Sequence, residues 1–390
     1  MDVCIQPRSL SGAVTPPPSK SMAHRAVLAL ALTEGGGRLS GLEPSQDILA
    51  TERCVAALKA PAGKGGLPFL DCGESGSTLR FLIPVALALR GGGIFTGRGR
   101  LMERPQKPYF DIFAEKSIAC RQADGVLTVR GVLPPGEYRL PGDVSSQFVT
   151  GLLYALPLLP GDSRICITTP LESRGYVDMT LDMLQRCGIS VEHRNYETFC
   201  VPGNQTYQAR NITVEADGSQ AAFWYAAGFL GSTVELRGLD PGSVQGDRMI
   251  AGLYRQLSLP GETEIDVSPC PDLLPPLAVM AAVRHGVTRF VNAARLRIKE
   301  SDRLSTVCRM LTALGGQAEE GPDSLTVRGV PALSGGTVDG ANDHRIVMAA
   351  AVAATRAAGA VTILGAEAVE KSYPSFWEEY KRLGGVFHVL

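Results

Sequence analysis

Pro18-Ser19-Lys20-Ser21, followed by the apolar run Ala26-Val-Leu-Ala-Leu-Ala-Leu32, is the stretch from which the fold can be read. A cluster of turn-forming and polar residues opens onto a segment too apolar for a surface helix. The pairing returns five more times. Gly73-Glu74-Ser75-Gly76-Ser77 precedes Leu79 to Leu89, and Pro141-Gly142-Asp143-Val144-Ser145-Ser146 precedes Phe148 to Leu158. Glu215-Ala216-Asp217-Gly218-Ser219 precedes Ala221 to Leu230. Pro269-Cys270-Pro271-Asp272 precedes Leu277 to Val283, and Gly340-Ala341-Asn342-Asp343 precedes Ile346 to Ala354. Measured between Ser19, Ser75, Ser145, Ser219, Asp272 and Asn342, the spacings are 56, 70, 74, 53 and 70 residues. A period of about 65 fills the 390 residues with six units.

A second, amphipathic helix is expected after each apolar run, beginning near Asp47, Arg104, Tyr176, Gly246, Glu300 and Tyr373. Most of these segments end at a glycine, as in Leu314-Gly315-Gly316 and Leu383-Gly384-Gly385, a common helix stop. Short β-like segments lie between, such as Ile165-Cys-Ile-Thr-Thr169 and Val361-Thr-Ile-Leu364. The pattern predicts an α/β protein of six units grouped three and three, each with one buried helix and one facing solvent.

Composition narrows the function. Lys plus Arg is 38 and Asp plus Glu is 39, a net charge of −1, which disfavours a general nucleic-acid or anionic-membrane binder. No apolar run is long enough for a membrane span, and the start Met1-Asp2-Val3-Cys4-Ile5 lacks a secretory signal pattern. The nine cysteines include no CxxC pair, and reduced core thiols in a cytoplasmic protein are the expectation. The five histidines are scattered with no metal-ligand spacing, so no metal site is expected.

The chemistry gathers at the helix starts, where free N–H groups and the helix dipole favour anions. Lys20, Ser21 and Arg25 lie at the first and Arg80 just inside the second; Arg104 precedes Pro105. Lys299-Glu300-Ser301-Asp302-Arg303, Asn342-Asp343-His344-Arg345 and Lys371 mark the others. Each alone reads as a capped helix with a solvated charge; convergence of many makes a polyanion pocket. No GxxxxGK[ST] or GxSxG is present, which leaves a nucleotide P-loop and a serine nucleophile unsupported. Asp272 reads as a base or an N-cap, and Glu300 as a proton carrier or a partner of Arg303 one turn on.

These residues together resemble the 5-enolpyruvylshikimate-3-phosphate synthase family of enolpyruvyl transferases. The resemblance runs from Pro18-Ser-Lys-Ser-Met-Ala-His-Arg25 to Lys371-Ser-Tyr-Pro374. Between lie Gly76-Ser-Thr-Leu-Arg80, Glu103-Arg-Pro105, Ser145-Ser-Gln147, Ser173-Arg-Gly-Tyr176 and Gln245-Gly-Asp247, then Pro271-Asp272, Lys299-Glu-Ser-Asp-Arg-Leu304 and Asn342-Asp-His-Arg345. It implies a two-domain inside-out α/β barrel of six βαβαββ-like units, three per domain. By the same resemblance, residues 1–18 with 215–390 are expected to form a discontinuous first domain and residues 19–214 the second, with the active site in the cleft between them.

The implied reaction transfers the enolpyruvyl group of phosphoenolpyruvate to the 5-hydroxyl of shikimate 3-phosphate and releases phosphate, with no cofactor. By resemblance Lys20, Asp272 and Glu300 are catalytic: Glu300 handles the carbon-side proton, Asp272 faces the 5-hydroxyl and Lys20 assists. Ser21, Arg25, Ser145, Ser146, Gln147, Ser173, Asp272 and Lys299 are the implied shikimate 3-phosphate residues. Lys20, Gly76, Arg104, Gln147, Arg303, Arg345 and Lys371 are those for phosphoenolpyruvate. A cytoplasmic monomer with no nucleic-acid or membrane partner is expected. The sequence departs from the family at Glu74, where Asn is usual, Ser77, where Thr is common, and Phe81, where Pro is frequent. A carboxylate at residue 74 repels phosphoenolpyruvate unless an arginine neutralises it. The alternatives are the sister enzyme acting on UDP-N-acetylglucosamine and a non-catalytic phospho-ligand binder. The first typically has Lys-Asn where Lys20-Ser21 stands and a reactive cysteine in a loop; residues 91–107 contain none.

Overall fold

The structure is a computed structural model that describes residues 1–61 and 66–390. Among these described residues the α-helices fall into six pairs. Helix α1 (Lys20–Ala31) is followed by α2 (Gln46–Lys59), α3 (Gly76–Arg90) by α4 (Lys107–Glu115), and α5 (Ser146–Ala155) by α6 (Arg174–Arg186). Helix α7 (Gly218–Phe229) is followed by α8 (Ile250–Leu257), α9 (Leu274–Val283) by α10 (Arg303–Ala313), and α11 (His344–Ala354) by α12 (Phe376–Arg382). The first of each pair is the apolar run of the sequence and the second its amphipathic partner.

Four sheets share one pairing scheme, a parallel pair extended by two antiparallel strands. In the first, Phe69–Asp71 runs parallel to Gly92–Thr96, then Val126–Arg130 and Ala119–Ala123 follow antiparallel. Gly136–Leu140, Ser163–Ile167, Thr198–Val201 and Glu192–Arg194 repeat it. So do Gly261–Asp266, Gly286–Val291, Leu325–Arg328 and Gln317–Glu320. The fourth draws its third strand from the start of the chain: Gly336–Asp339, Val361–Leu364, Val3–Gln6, Val386–Val389. Two further sheets are reduced to the parallel pair, Leu39–Ser40 with Ile212–Thr213 and Ser11–Val14 with Thr233–Leu236.

The chain divides into two compact units, Met1–Ser19 with Glu215–Leu390 (unit 1) and Lys20–Val214 (unit 2). Each holds two complete sheets and one reduced sheet, so six units form in groups of three, the inside-out α/β arrangement. In unit 1, α7, α9 and α11 pack on one another, and every residue of α11 is buried. A helix apolar all round has no face for water, so it takes the centre and leaves its amphipathic partner outside. In unit 2, α3 packs on α5 and α1 on α6. The Tyr109 hydroxyl donates to the Arg80 and Phe148 carbonyls at 2.8 and 3.0 Å, which satisfies a buried phenol between α3 and α5.

The expected amphipathic helices exist, but several begin three or four residues late. Residues 101–103 form a single 3₁₀ turn and α4 starts only at Lys107. Residues 246–249 form another before α8, and α10 is capped by Asp302, whose carboxylate accepts from Ser305 N at 3.1 Å. Pro374 delays α12 to Phe376, since the residue before a proline avoids the helical region. Gly188, Gly315 and Gly384 take positive φ after α6, α10 and α12, whereas Ser117 does so after α4. No helix among the described residues is long and apolar enough to cross a membrane, and the nine cysteines are free thiols.

Candidate active site

In unit 2 the implied residues fall into three clusters. Lys20 is the first residue of α1, and its ammonium donates to Asp47 Oδ2 on α2 at 2.8 Å. Arg25, one turn on, is 2% exposed. Its guanidinium donates to the Ser21 carbonyl at 2.6 Å, the Tyr176 carbonyl at 2.7 Å and Thr180 Oγ1 at 2.9 Å. Burial lowers the Arg25 pKa to about 10, which leaves it charged at neutral pH. Ser173, buried at the N-cap of α6 in the left-handed region (φ 53°), lies three residues before Tyr176, the α6 residue that Arg25 reaches where α1 packs on α6.

The second cluster surrounds the start of α3. A Cβ placed on Gly76 falls 2.8 Å from Arg104 Nη1, so only glycine lets the guanidinium lie flat against this backbone. The turn before it is tied to the neighbouring loop by Arg98 N, which donates to the Gly73 carbonyl at 2.6 Å. The Glu74 carboxylate lies against Gly99, where a Cβ would meet its Oε2 at 2.7 Å. The third cluster is the start of α5. Ser145 caps it, accepting from Gln147 N at 3.3 Å, and Ser146 is its first residue. Gln147 donates to Ser77 Oγ at 3.0 Å and accepts from Arg80 Nη1 at 2.8 Å. Arg80 also donates to the Pro105 carbonyl at 3.0 Å and sits 4.8 Å above the Phe148 ring.

In unit 1 the ionic residues form one network. Asp272 accepts from Arg303 Nη1 and Arg345 Nη2, each at 2.9 Å, and from Lys299 Nζ at 3.4 Å. It is not the N-cap of α9, a reading the sequence left open; Leu273 holds that position. Glu300 accepts from Arg303 Nη2 at 2.6 Å, the one-turn pairing the sequence suggested. Arg345 also donates to Ser219 Oγ at 3.0 Å, and Lys371 to the Asn342 carbonyl at 2.7 Å. Burial pulls the Lys299 ammonium down to about 8, against the opposing pull of Asp272. Burial acts the same way on Arg303, but Asp343, Glu300 and Asp272 together hold it above its ordinary value.

Two acids central to this geometry were not singled out from the sequence. Asp47 fixes Lys20. Asp343 is wholly buried: Oδ2 accepts from Ser301 Oγ and Arg303 Nε at 2.9 Å, and Oδ1 from Arg345 N at 3.0 Å and Arg303 Nη2 at 3.2 Å. One carboxylate thus orients Arg303 and caps the helix that carries Arg345. The signal was its place in Asn342-Asp343-His344-Arg345, where an acid beside a helix start reads as a cap alone. Lys299, Arg303, Arg345 and Lys371 outnumber Asp272, Glu300 and Asp343 by one positive charge, as suits a site for anions.

Four-stranded sheets around buried helices make a fold shared with a solved enolpyruvyl transferase. The model of the EPSP synthase family (3-phosphoshikimate 1-carboxyvinyltransferase) matches residues 5–380, and the chain belongs to that family. It is 45% identical to the 3-phosphoshikimate 1-carboxyvinyltransferase of Clostridium kluyveri, over 98% of this chain and 97% of that one. It is 44% identical to that of Clostridium perfringens strain 13, over 98% of each. The fold is similar to the solved EPSP synthase of Acinetobacter baumannii, with TM-score 0.79, 24% identity and 99% of each chain covered. The enolpyruvyl transferase NikO of Streptomyces tendae follows at TM-score 0.77 and 18% identity, over 99% of this chain and 98% of that one.

Proposed function

We propose that this chain is a 3-phosphoshikimate 1-carboxyvinyltransferase, which joins phosphoenolpyruvate to the 5-hydroxyl of shikimate 3-phosphate and releases phosphate. The observation that carries the reading is the unit 1 network, in which Asp272 meets Lys299, Arg303 and Arg345 and Glu300 meets the same Arg303. The chemistry needs two carboxyl groups on the protein and enough positive charge for the two phosphates and two carboxylates of the substrates.

In addition, Glu300 gives a proton to the methylene carbon of the enol as the 5-oxygen bonds to the adjacent carbon, and Asp272 takes the hydroxyl proton. In elimination, the new methyl group returns a proton to Glu300. The C–O bond to phosphate breaks, phosphate leaves with the electron pair, and the double bond re-forms. Arg303, Arg345, Lys371, Lys20 and Arg104, with the Gly76 backbone, hold phosphoenolpyruvate; arginine suits these bidentate contacts. Ser21, Arg25, Ser145, Ser146, Ser173 and Lys299 hold shikimate 3-phosphate, and Gln147 serves both. The free thiols suit a reducing cytoplasm, and we assign the chain to it as a monomer.

The test is phosphate release with phosphoenolpyruvate and either shikimate 3-phosphate or UDP-N-acetylglucosamine. Release with the first alone is expected; release only with the second, or with neither, rejects the reading. Glu300→Ala is expected to abolish most turnover while shikimate 3-phosphate still binds, and near-full activity in it removes Glu300 from its role.

A further inference from the structure

Three helices of unit 2 are joined by a line of side chains that the reaction does not use. His24 on α1 lies 2.7 Å (Nδ1) from Thr51 Oγ1 on α2, which lies 2.6 Å from Thr78 Oγ1 on α3. Thr78 donates to Ser75 Oγ at 2.7 Å, and Ser75 is the N-cap of α3. Exposures are 1% for His24, 2% for Thr51, 0% for Thr78 and 1% for Ser75.

The protons run in one direction. Thr78 gives its hydroxyl hydrogen to Ser75, so it receives one from Thr51. Thr51 has one hydrogen; the 2.6 Å contact to Thr78 takes it in preference to the Asp47 carbonyl at 3.2 Å. Thr51 must then accept from His24, which makes that imidazole the Nδ1–H tautomer. Burial, with Lys20 and Arg25 close by, pushes His24 well below its ordinary pKa, so the ring is neutral. Its Nε2 has no hydrogen-bond partner, the arrangement expected for a bare lone pair and not for an N–H, which a buried site leaves unsatisfied at greater cost. The line ends at Ser75, the residue before Gly76, where a Cβ would fall 2.8 Å from Arg104 Nη1. The same α2 carries Asp47, the partner of Lys20.

We propose that the donor chain His24–Thr51–Thr78–Ser75 is a positioning device that locks the Gly76 turn to α1 and α2, and so sets affinity for phosphoenolpyruvate separately from that for shikimate 3-phosphate. It rests on the function proposed above and deepens it. Thr51→Val keeps the shape and breaks the chain; Thr51→Ser keeps the hydroxyl. The expected result is a KM for phosphoenolpyruvate raised about tenfold in Thr51→Val, the effect of one buried hydrogen bond. The Kd for shikimate 3-phosphate stays within twofold, and Thr51→Ser stays close to the unmodified protein. A KM unchanged in Thr51→Val overturns the proposal. So does a Kd that rises in parallel, or a Thr51→Ser as impaired as Thr51→Val, since either marks a general packing effect. If Thr51→Val does not fold, Thr78→Val takes its place under the same criteria. Hydrogen–deuterium exchange of the segment 73–80 is read in the same proteins: faster exchange in Thr51→Val, with protection kept in Thr51→Ser, is expected. If the unmodified protein shows no turnover, the functional reading fails, and unaltered exchange in Thr51→Val then overturns the positioning chain as well.

Discussion

Asp343 accepts four hydrogen bonds out of contact with water, and Arg303 beside it is 1% exposed. An amide at this position keeps the shape but turns an N–H toward a donor. Asp343→Asn is therefore expected to lower stability by about 3 kcal/mol, the usual cost of breaking a buried pair, and to raise the KM for phosphoenolpyruvate. Urea unfolding with steady-state kinetics checks both, and a variant as stable as its parent rejects the role. Lys299 gives a pH prediction. Its ammonium titrates at about 8, lowered by burial, so it is charged below that pH and neutral above it. Affinity for shikimate 3-phosphate is thus expected to fall as pH rises from 7 to 9, and Lys299→Arg, which stays charged, to flatten the decline. Calorimetry across this range with a level profile for both proteins counts against Lys299 as a contact. At this scale the sequence is readable only where one residue has one local job. Asp343 reads as a cap because its second partner, Arg303, is 40 positions away, and Thr51 reads as ordinary helix filling because its hydrogen bonds go to other helices.

The element scale is more legible, since a helix is a local pattern. The six apolar runs become α1, α3, α5, α7, α9 and α11 because Leu-, Val- and Ala-rich segments of that length fit a buried helix. Late starts at α4, α8 and α10 were not legible, because the motif residues there are held in turns by contacts beyond their own segment, whereas the delay of α12 is local and follows from Pro374. Leu277, fully buried in α9, supports a direct check. Leu277→Ala is expected to cost about 2–5 kcal/mol through lost transfer energy and a cavity, and a loss under 1 kcal/mol in denaturant melts contradicts the placement of α9 at the centre of unit 1. The turn into α3 gives a second. A methyl on Gly76 falls 2.8 Å from the far end of the Arg104 side chain, so that side chain and not the backbone must move. Gly76→Ala is expected to fold normally and bind shikimate 3-phosphate normally. Its KM for phosphoenolpyruvate is expected to rise about tenfold from the misplaced cation; an unchanged KM separates Arg104 from that substrate.

At the scale of the molecule, the repeat is written in the spacing of the helix starts, but strand pairing is not. Nothing local to Val3–Gln6 says that it lies between Val361–Leu364 and Val386–Val389, because a short apolar strand matches many partners equally well. That insertion makes the first residues structural. It also brings the chain ends together: Leu390 N donates to the Asp2 carbonyl at 2.9 Å, and the Met1 ammonium meets Glu367 at 2.7 Å. Two constructions therefore have opposite outcomes. Deletion of residues 1–8 removes a strand hydrogen-bonded on both sides and exposes two edges, so unit 1 is expected to unfold or aggregate. A circular permutant, with residues 390 and 1 joined by a short glycine linker and new ends at Asp124-Gly125, removes no ladder. That site is the turn of the hairpin Ala119–Ala123 with Val126–Arg130, and both residues have positive φ. The permutant is expected to be soluble, to unfold at a denaturant midpoint near that of the original chain and to retain turnover. Cleavage at an exposed turn leaves packing intact, and the linker restores the continuity the first strand needs. A permutant that fails to fold while the deletion survives shows that the first strand does not occupy the middle of that sheet, and the discontinuous architecture of unit 1 falls with it.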